Sequence, residues 1–304
     1  MEFAIDQNNL EKDLDFALEK KWSAKAIPIA CEFGEIKEIM SLYNDDKYSN
    51  YWSIRNILLG DSVNYPALSH FIYMRYGGDE LARKTLEDLN TLDPNKSYRI
   101  LNAGSGFGSD MIEQAKLLPK AKFCGIEYNK RYADLSAKII QALGMEERIK
   151  IYYANLTDPD QIKEIHAKEG FFDGAYSNLV VLHIKNKASL YQSISNLLKA
   201  RAIYRNEDYT RQEKTNLKFA EEKIGCQNLL TIEEMIQLAH SSGFSNSSFS
   251  CLTDYWQEFT LQRKNNYLEN VLQRSKKKEM FFQDVAEFFS DHGGCGGVFK
   301  HLKK

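Results

Sequence analysis

The sequence has no surplus of charge of either sign, since its 40 Lys and Arg nearly balance 42 Asp and Glu. An overall basic field of the kind that condenses a protein onto nucleic acid or anionic lipid is therefore missing. There is no C-x-x-C pair. The five cysteines, Cys31, Cys124, Cys226, Cys251 and Cys295, stand singly, which argues for free thiols in a reducing compartment and against a zinc site. No apolar run reaches the length of a membrane span, and the opening MEFAIDQNNLEKDLD lacks the basic and apolar regions of a signal peptide. Repeats and low-complexity tracts are absent, and no glycine loop continues into G-K-S or G-K-T, which excludes a phosphate loop. The expectation is a cytoplasmic protein with a small-molecule partner, no nucleic acid, no membrane and no metal, its homo-oligomeric state open.

What is present is enough for a sizeable core: 304 residues, 43% of them hydrophobic. From about residue 98 short apolar runs alternate with helical periods, the pattern of an α/β sheet with helical crossovers. Strands are predicted over Arg99 to Ala103, Lys122 to Glu127, Lys150 to Asn155, Phe172 to Asn178 and Ala202 to Tyr209. Asp110 and the pair Asp158-Pro159 read as helix starts, and Gly144 as a helix end. In TIEEMIQLAHSSGF, Thr231 and Glu234 form a capping-box pattern and Gly243 closes the helix. SSFSCLTDY reads as strand, the segment of about 256–290 as a helical insertion, and GGVFKHLKK as a last edge strand. Residues 1–95, mostly helical with the aromatic patch LYNDDKYSNYW, read as a lid or cap over a domain of residues 96–304.

The stretch LNAGSGFGSD, Leu101 to Asp110, joins a strand to a helix through glycines 104, 106 and 108. Bare backbone there can approach a ligand closely while the helix N-terminus faces it. The next strand ends on Glu127, whose carboxylate can accept hydrogen bonds from both hydroxyls of a ribose. A nucleoside ligand follows. The spacing G-x-G-x-G, with Ser109 where a third glycine would stand, makes NAD or FAD the weaker match.

With these residues in register the chain resembles the class I S-adenosylmethionine-dependent methyltransferases over roughly residues 98 to 254. RILNAGSGFG stands as the first motif, GIEY as the second, YYANLTD as the third and FDGAYSNLVVLHI as the fourth. The resemblance implies an α/β Rossmann-like methyltransferase fold: a mostly parallel seven-stranded sheet with helices on both faces, the helical N-terminal lid and the helical C-terminal insertion. It also implies S-adenosyl-L-methionine as cofactor and S-adenosyl-L-homocysteine as product. Gly104 and Gly106 would leave room for its methionine part, Glu127 would hold the ribose, and Tyr128 would lie against the adenine. Asn155 and Leu156 stand at the adenine edge, where the Asn side chain can accept from the amino group. Asn178 closes the fourth strand beside the transferable methyl.

QNLLTIEEMIQLAHSSGF, LTDYWQEF and GGVFKHLKK further resemble the phosphoethanolamine and glycine/sarcosine/dimethylglycine N-methyltransferases. That resemblance implies a catalytic pair of His183 and a lid tyrosine, Tyr43, with Tyr48 or Tyr51 a less secure match. Tyr51 and Tyr209 are then on the substrate side. Several positions depart from the pattern. Asn102 replaces the usual Asp, LLKARAIY lacks a Pro-Gly-Gly turn, Leu179 stands at an acidic position, and Gly225 and Gln227 replace a phosphate-binding Arg and Tyr. Phosphoethanolamine itself is therefore a poor match.

Other features carry bland readings. Arg201, Arg205 and Arg211 could receive an anion but read as solvated, KKK at 276–278 reads as a solvated helix face, and His292 with Cys295 falls short of a metal site. The reading is a small-molecule methyltransferase acting on an amine nitrogen, with His183 a base of near-neutral pKa. The alternatives are O- or C-methylation and a catalytically silent subunit of the same fold.

Overall fold

The structure, a computed structural model, describes residues 15–29, 51–72, 75–77, 80–270 and 276–304. Its strands are β1 (Ile27–Pro28), β2 (Arg99–Ala103), β3 (Lys122–Glu127), β4 (Ile149–Tyr153), β5 (Phe172–Asn178), β6 (Leu198–Arg211), β7 (Phe244–Cys251) and β8 (Gly294–Lys303). They form one eight-stranded sheet in the order β1-β4-β3-β2-β5-β6-β8-β7. Every strand runs parallel except β8, which is antiparallel to both β6 and β7. This is the expected α/β fold with one strand more than the sequence reading, the two-residue β1 paired with β4.

Two strand expectations need correction. GGVFKHLKK lies inside the sheet, between β6 and β7, and not at its edge. Its glycines mark close packing: a Cβ on Gly296 would fall 2.0 Å from the Trp256 ring, and one on Gly297 2.1 Å from the Ser250 carbonyl. The strand predicted from Ala202 begins earlier, at Leu198. The β5 pairing jumps from Phe172↔Leu198 to Gly174↔Ile203, and Arg201 in the bulge is left-handed (φ 65°). A bulged strand start thus stands in place of the Pro-Gly-Gly turn.

The helices are α1 (Tyr51–Leu59), α2 (Tyr65–Ile72), α3 (Glu80–Asp88), α4 (Ser109–Leu117), α5 (Lys130–Ala142), α6 (Pro159–Glu169), α7 (Lys187–Leu197), α8 (Ile232–Ser241), α9 (Thr253–Asn270) and α10 (Lys276–Ser290), with residues 15–21 helical ahead of them. Asn129 caps α5, Asp158 caps α6 with Pro159 in the first turn, and Thr231 with Glu234 closes a capping box on α8. Asp110 is not a cap. Left-handed Gly108 occupies that position on α4, freeing the Asp110 carboxylate for tertiary contacts.

One face of the sheet packs Ile54, Leu68, Leu86, Ile112 and Ile139 from α1 to α5, and the other Leu190, Ile194 and Met235 from α7 and α8. A third cluster joins α10 and Trp256 of α9 to Tyr76 and Tyr209. No described helix is long and apolar enough to cross a membrane. Because β3 and β4 lie on one side of β2 and β5 on the other, strand order reverses at β2/β5. A crevice opens there at the carboxyl ends of the strands.

Candidate active site

The crevice is built first by the turn after β2. The Gly104 and Ser105 amides both donate to the Ile126 carbonyl, at 2.8 and 3.1 Å, which ties the turn to β3. The Gly106 amide donates to Glu127 Oε2 and the Asn129 amide to Oε1, each at 2.8 Å. Burial pushes the Glu127 pKa above the ordinary carboxylate range, against the pull of the Asn129, Gly106 and Tyr128 amides. Gly104 is left-handed (φ 77°), and a Cβ there would sit 2.5 Å from Val180 Cγ2. The side of Gly104 where a Cβ would stand is filled by the Val180 side chain, so only a residue without a side chain fits there.

The turn opens on a cavity of about 450 Å³. Asn102, Gly104, Gly106, Glu127, Tyr128, Asn155, Leu156, Asn178, His183 and Tyr209 all line it. Tyr43 and Tyr48 lie outside the described residues, as does the Tyr51 side chain. The wall has the donors and acceptors a nucleoside needs. The Glu127 oxygens accept the Gly106 and Asn129 amides, and the buried Ser105 hydroxyl makes no hydrogen bond among the described residues. Asn155 corrects one expectation. Its Oδ1 already accepts from the Thr157 amide and hydroxyl, both at 2.9 Å, so the group it has left to offer is its NH₂.

Beneath the cavity runs a buried polar chain. Arg75 ion-pairs with Asp110, whose Oδ2 accepts from Asn178 Nδ2 at 2.7 Å. Arg205, fully buried, donates to Asn178 Oδ1 at 3.1 Å, to Asp88 at 2.9 Å and to Glu207 at 2.7 Å. Asn178 faces the cavity, but its amide is held on both sides.

His183 sits on the single 3₁₀ turn Val181–His183 that follows β5. Asp208 holds the start of that turn, accepting amides from Val180 (3.0 Å), Val181 (2.6 Å) and Leu182 (3.1 Å), with Tyr209 (2.8 Å) as a fourth donor. Lys187 Nζ holds its end, donating to the carbonyls of Val181, Ile184 and Gln227 at 2.6–2.8 Å. Burial pushes the Asp208 carboxyl up to about 7 and the Lys187 ammonium down to about 8. His183 Nδ1 meets the Gly225 carbonyl at 3.2 Å. A carbonyl only accepts, so Nδ1 carries the proton and Nε2 the lone pair. Desolvation pushes the His183 pKa down to about 4, well below the near-neutral base expected from sequence. Beside it the Tyr209 and Tyr76 hydroxyls share a hydrogen bond, with Trp256, Phe288 and Phe289 packed on the Tyr209 ring.

The basic residues also fall differently from the sequence reading. Arg205 is spent on Asp88 and Glu207, Arg211 pairs with Glu234 at 2.7 Å, and neither they nor Arg201 line the cavity. Arg263 of α9 and Lys278 of α10 do, with Phe281 and Phe282. In KKKEMFFQDVAEFFS the spacing of Lys278, Phe281, Phe282 and Val285 already puts Lys278 on the apolar stripe of its helix, a signal the run of three lysines hides.

Three comparisons bear on this arrangement. The family described as methyltransferase domain matches residues 94–279. Phosphoethanolamine N-methyltransferase of Plasmodium falciparum is 27% identical over 246 residues, covering 76% of this chain and 82% of that protein. Among solved structures, phosphoethanolamine N-methyltransferase 2 of Haemonchus contortus, in complex with phosphomonomethylethanolamine and S-adenosylhomocysteine, superposes with a TM-score of 0.69 at 14% identity, over 90% of this chain and 60% of that one. Geranyl diphosphate C-methyltransferase of Streptomyces coelicolor superposes with a TM-score of 0.60 at 11% identity, over 97% and 98% of the two chains. At these identities the structural likenesses speak for the fold.

Proposed function

The chain belongs to the methyltransferase-domain family, and from that membership we propose that it transfers a methyl group from S-adenosyl-L-methionine to an amine nitrogen of a small molecule. One observation carries the reading: the glycine turn with Glu127 at one end and the hydrogen-bond-fixed His183 further along line the same cavity. Glu127 is positioned for the ribose, Tyr128 for the adenine face, and Asn102 and the Ser105 hydroxyl for the polar groups between. The cofactor supplies an electrophilic methyl on a sulfonium, and displacement at that carbon runs in line.

The protein's task is then alignment and exclusion of water. His183 stays uncharged at neutral pH, and its Nε2 lone pair accepts an N–H of the acceptor, aiming the nitrogen at the methyl. With a pKa near 4 it orients an amine that enters neutral and does not strip a proton from an alkylammonium. Asp208 and Lys187 act as positioning residues that fix the turn carrying it. Of the N-terminal 95 residues, β1 belongs to the sheet and α1 to α3 pack on its face, so the capping part is the stretch of Phe71, Ile72, Arg75 and Tyr76 on the cavity wall.

Titration calorimetry with S-adenosyl-L-methionine and S-adenosyl-L-homocysteine tests the first step, and a methyl-transfer screen over amines, amino acids and phenols, read by product mass, tests the second. Absence of binding for both ligands at millimolar concentration refutes the reading. Methylation of phenols alone refutes its amine half.

A further inference from the structure

The pair of Tyr76 and Tyr209 carries one proton more than its own hydrogen bond can use. Tyr76, just ahead of left-handed Gly77 (φ 87°), comes from the chain between α2 and α3, and Tyr209 comes from β6. Both are buried and both line the cavity. Their rings stack with centroids 6.4 Å apart and planes 25° from parallel, and their hydroxyls share one hydrogen bond. Two hydroxyls hold two protons, and that bond takes one of them. The other has no acceptor among the described residues. Both phenols keep their protons at neutral pH, since burial pushes Tyr76 up to about 12, against the pull of Tyr209 and Arg263, and pushes Tyr209 up as well. The rings are held in place: Trp256 and Phe259 pack on Tyr76 at 5.4 and 5.3 Å between centroids, and Phe288 and Phe289 on Tyr209 at 5.6 and 5.1 Å. Arg263, itself on the cavity wall, acts on the Tyr76 hydroxyl, while α10 closes on the Tyr209 ring. Tyr76 is thus the hydroxyl on the cavity side and Tyr209 the donor to it. A buried O–H without an acceptor costs free energy that an oxygen on a ligand would recover.

We propose that Tyr76 is a specificity-determining residue for the methyl acceptor: it accepts the Tyr209 hydroxyl and donates its own O–H to an oxygen of that molecule, so the molecule methylated is an amine that also carries an oxygen function. A hydroxyl and a carboxylate share the lone pair this donor reads. The proposal rests on the methyl-transfer reading for the identity of the cavity. It adds a residue from the N-terminal part of the chain that no motif marks, and it adds a rule of selection. An analogue with a methyl group in place of the oxygen leaves the buried O–H unpaired and is rejected on that account.

The test uses the full chain saturated with S-adenosyl-L-homocysteine and titration calorimetry with aromatic amines, which enter uncharged at neutral pH: the meta and para isomers of aminobenzyl alcohol, aminobenzoate and ethylaniline. Aminobenzyl alcohol and ethylaniline differ by one hydroxyl in place of a methyl. An oxygen-bearing isomer is expected to bind at least about tenfold more tightly than the ethylaniline of the same substitution, and whether the alcohol or the carboxylate leads names the oxygen. Tyr76→Phe should bring the two to within about twofold of each other, and Tyr209→Phe should keep part of the preference, because Tyr76 retains its own O–H. S-adenosyl-L-homocysteine affinity should be unchanged in both variants, which shows that they fold. The proposal is overturned if ethylaniline binds the wild type as tightly as its oxygen-bearing counterparts, a result that needs no variant. It is equally overturned if the preference survives Tyr76→Phe, or if none of these amines binds a protein that still binds S-adenosyl-L-homocysteine. Failure to bind S-adenosyl-L-homocysteine would count against the methyl-transfer reading instead.

Discussion

The backbone amide of Gly106 donates to the Glu127 carboxylate at 2.8 Å, so the glycine turn after β2 and the end of β3 are one rigid unit. Glutamine at 127 would turn an N–H toward the amide of either Gly106 or Asn129, setting donor against donor. Glu127→Gln should therefore weaken S-adenosyl-L-homocysteine binding about tenfold to a hundredfold, on the order of 1.5–3 kcal/mol, by calorimetry. The raised Glu127 pKa gives the pH sign. If Glu127 holds the ribose as proposed, the accepting carboxylate is present above that pKa, so affinity should fall as the pH drops through it, and the Gln variant should lack this dependence.

With its Oδ1 taken by Thr157, Asn155 offers a donor, whereas the proposed adenine amino group would ask for an acceptor. In Asn155→Asp one oxygen can keep the two Thr157 contacts while the other accepts from the adenine amino group. Tighter cofactor binding by about 1 kcal/mol is expected. Unchanged or weaker binding would place the adenine elsewhere.

His183→Ala, which removes one orienting hydrogen bond, should lower turnover about tenfold with cofactor affinity kept. Because its pKa lies near 4, protonation of His183 should leave no inflection in the rate near pH 6.5. A loss of turnover centred there, present in the wild type and absent in the variant, would contradict the assignment.

His301 is fully buried, with Ser247 Oγ 2.8 Å from Nδ1, and its pKa is pushed from 6.5 down to about 3 by desolvation and by His240. The unfolded chain binds this proton more readily than the folded one. Its contribution is therefore fully present above pH 6.5 and is lost as the pH falls from there toward 3, at about 1.4 kcal/mol per pH unit. Urea midpoints against pH should fall over that window, and His301→Gln should flatten the slope.

Arg205 is fully buried between Asp88 and Glu207. Arg205→Ala leaves the buried Glu207 carboxylate uncompensated and should cost about 3–5 kcal/mol in chemical denaturation. Pairing the substitution with Glu207→Gln should recover part of that loss.

Much of this was legible in the sequence because local chemistry and tertiary placement agreed. β2, β3 and β5 fall where their apolar runs stand, since strands buried on both faces leave little room for register error. The residues expected to meet the cofactor, from Asn102 to Leu156, stand at or just after strand ends, which the topology gathers at one cavity. The lysine run at 276–278 misled because a charge run suggests solvent, while Lys278 alone turns inward. Arg205 looked solvated because Asp88 comes from α3, far away in sequence, although Glu207, two residues on in the same strand, shares its face. The bond of Asn155 to Thr157 and the filling of the space over Gly104 by Val180 are side-chain placements that no spacing encodes.

The reversed strand β8 has a consequence for the order of assembly. β7 has β8 as its partner in the sheet, and β8 is synthesised after both β6 and β7. Until it arrives, β7 and the far side of β6 present open hydrogen-bonding edges, the surfaces on which nascent chains aggregate or wait for chaperones. A single late insertion closes both edges at once. Yield and solubility during synthesis should therefore respond more sharply to changes in β8, at Gly296 and Gly297 above all, than to changes of equal size in β3 or β4.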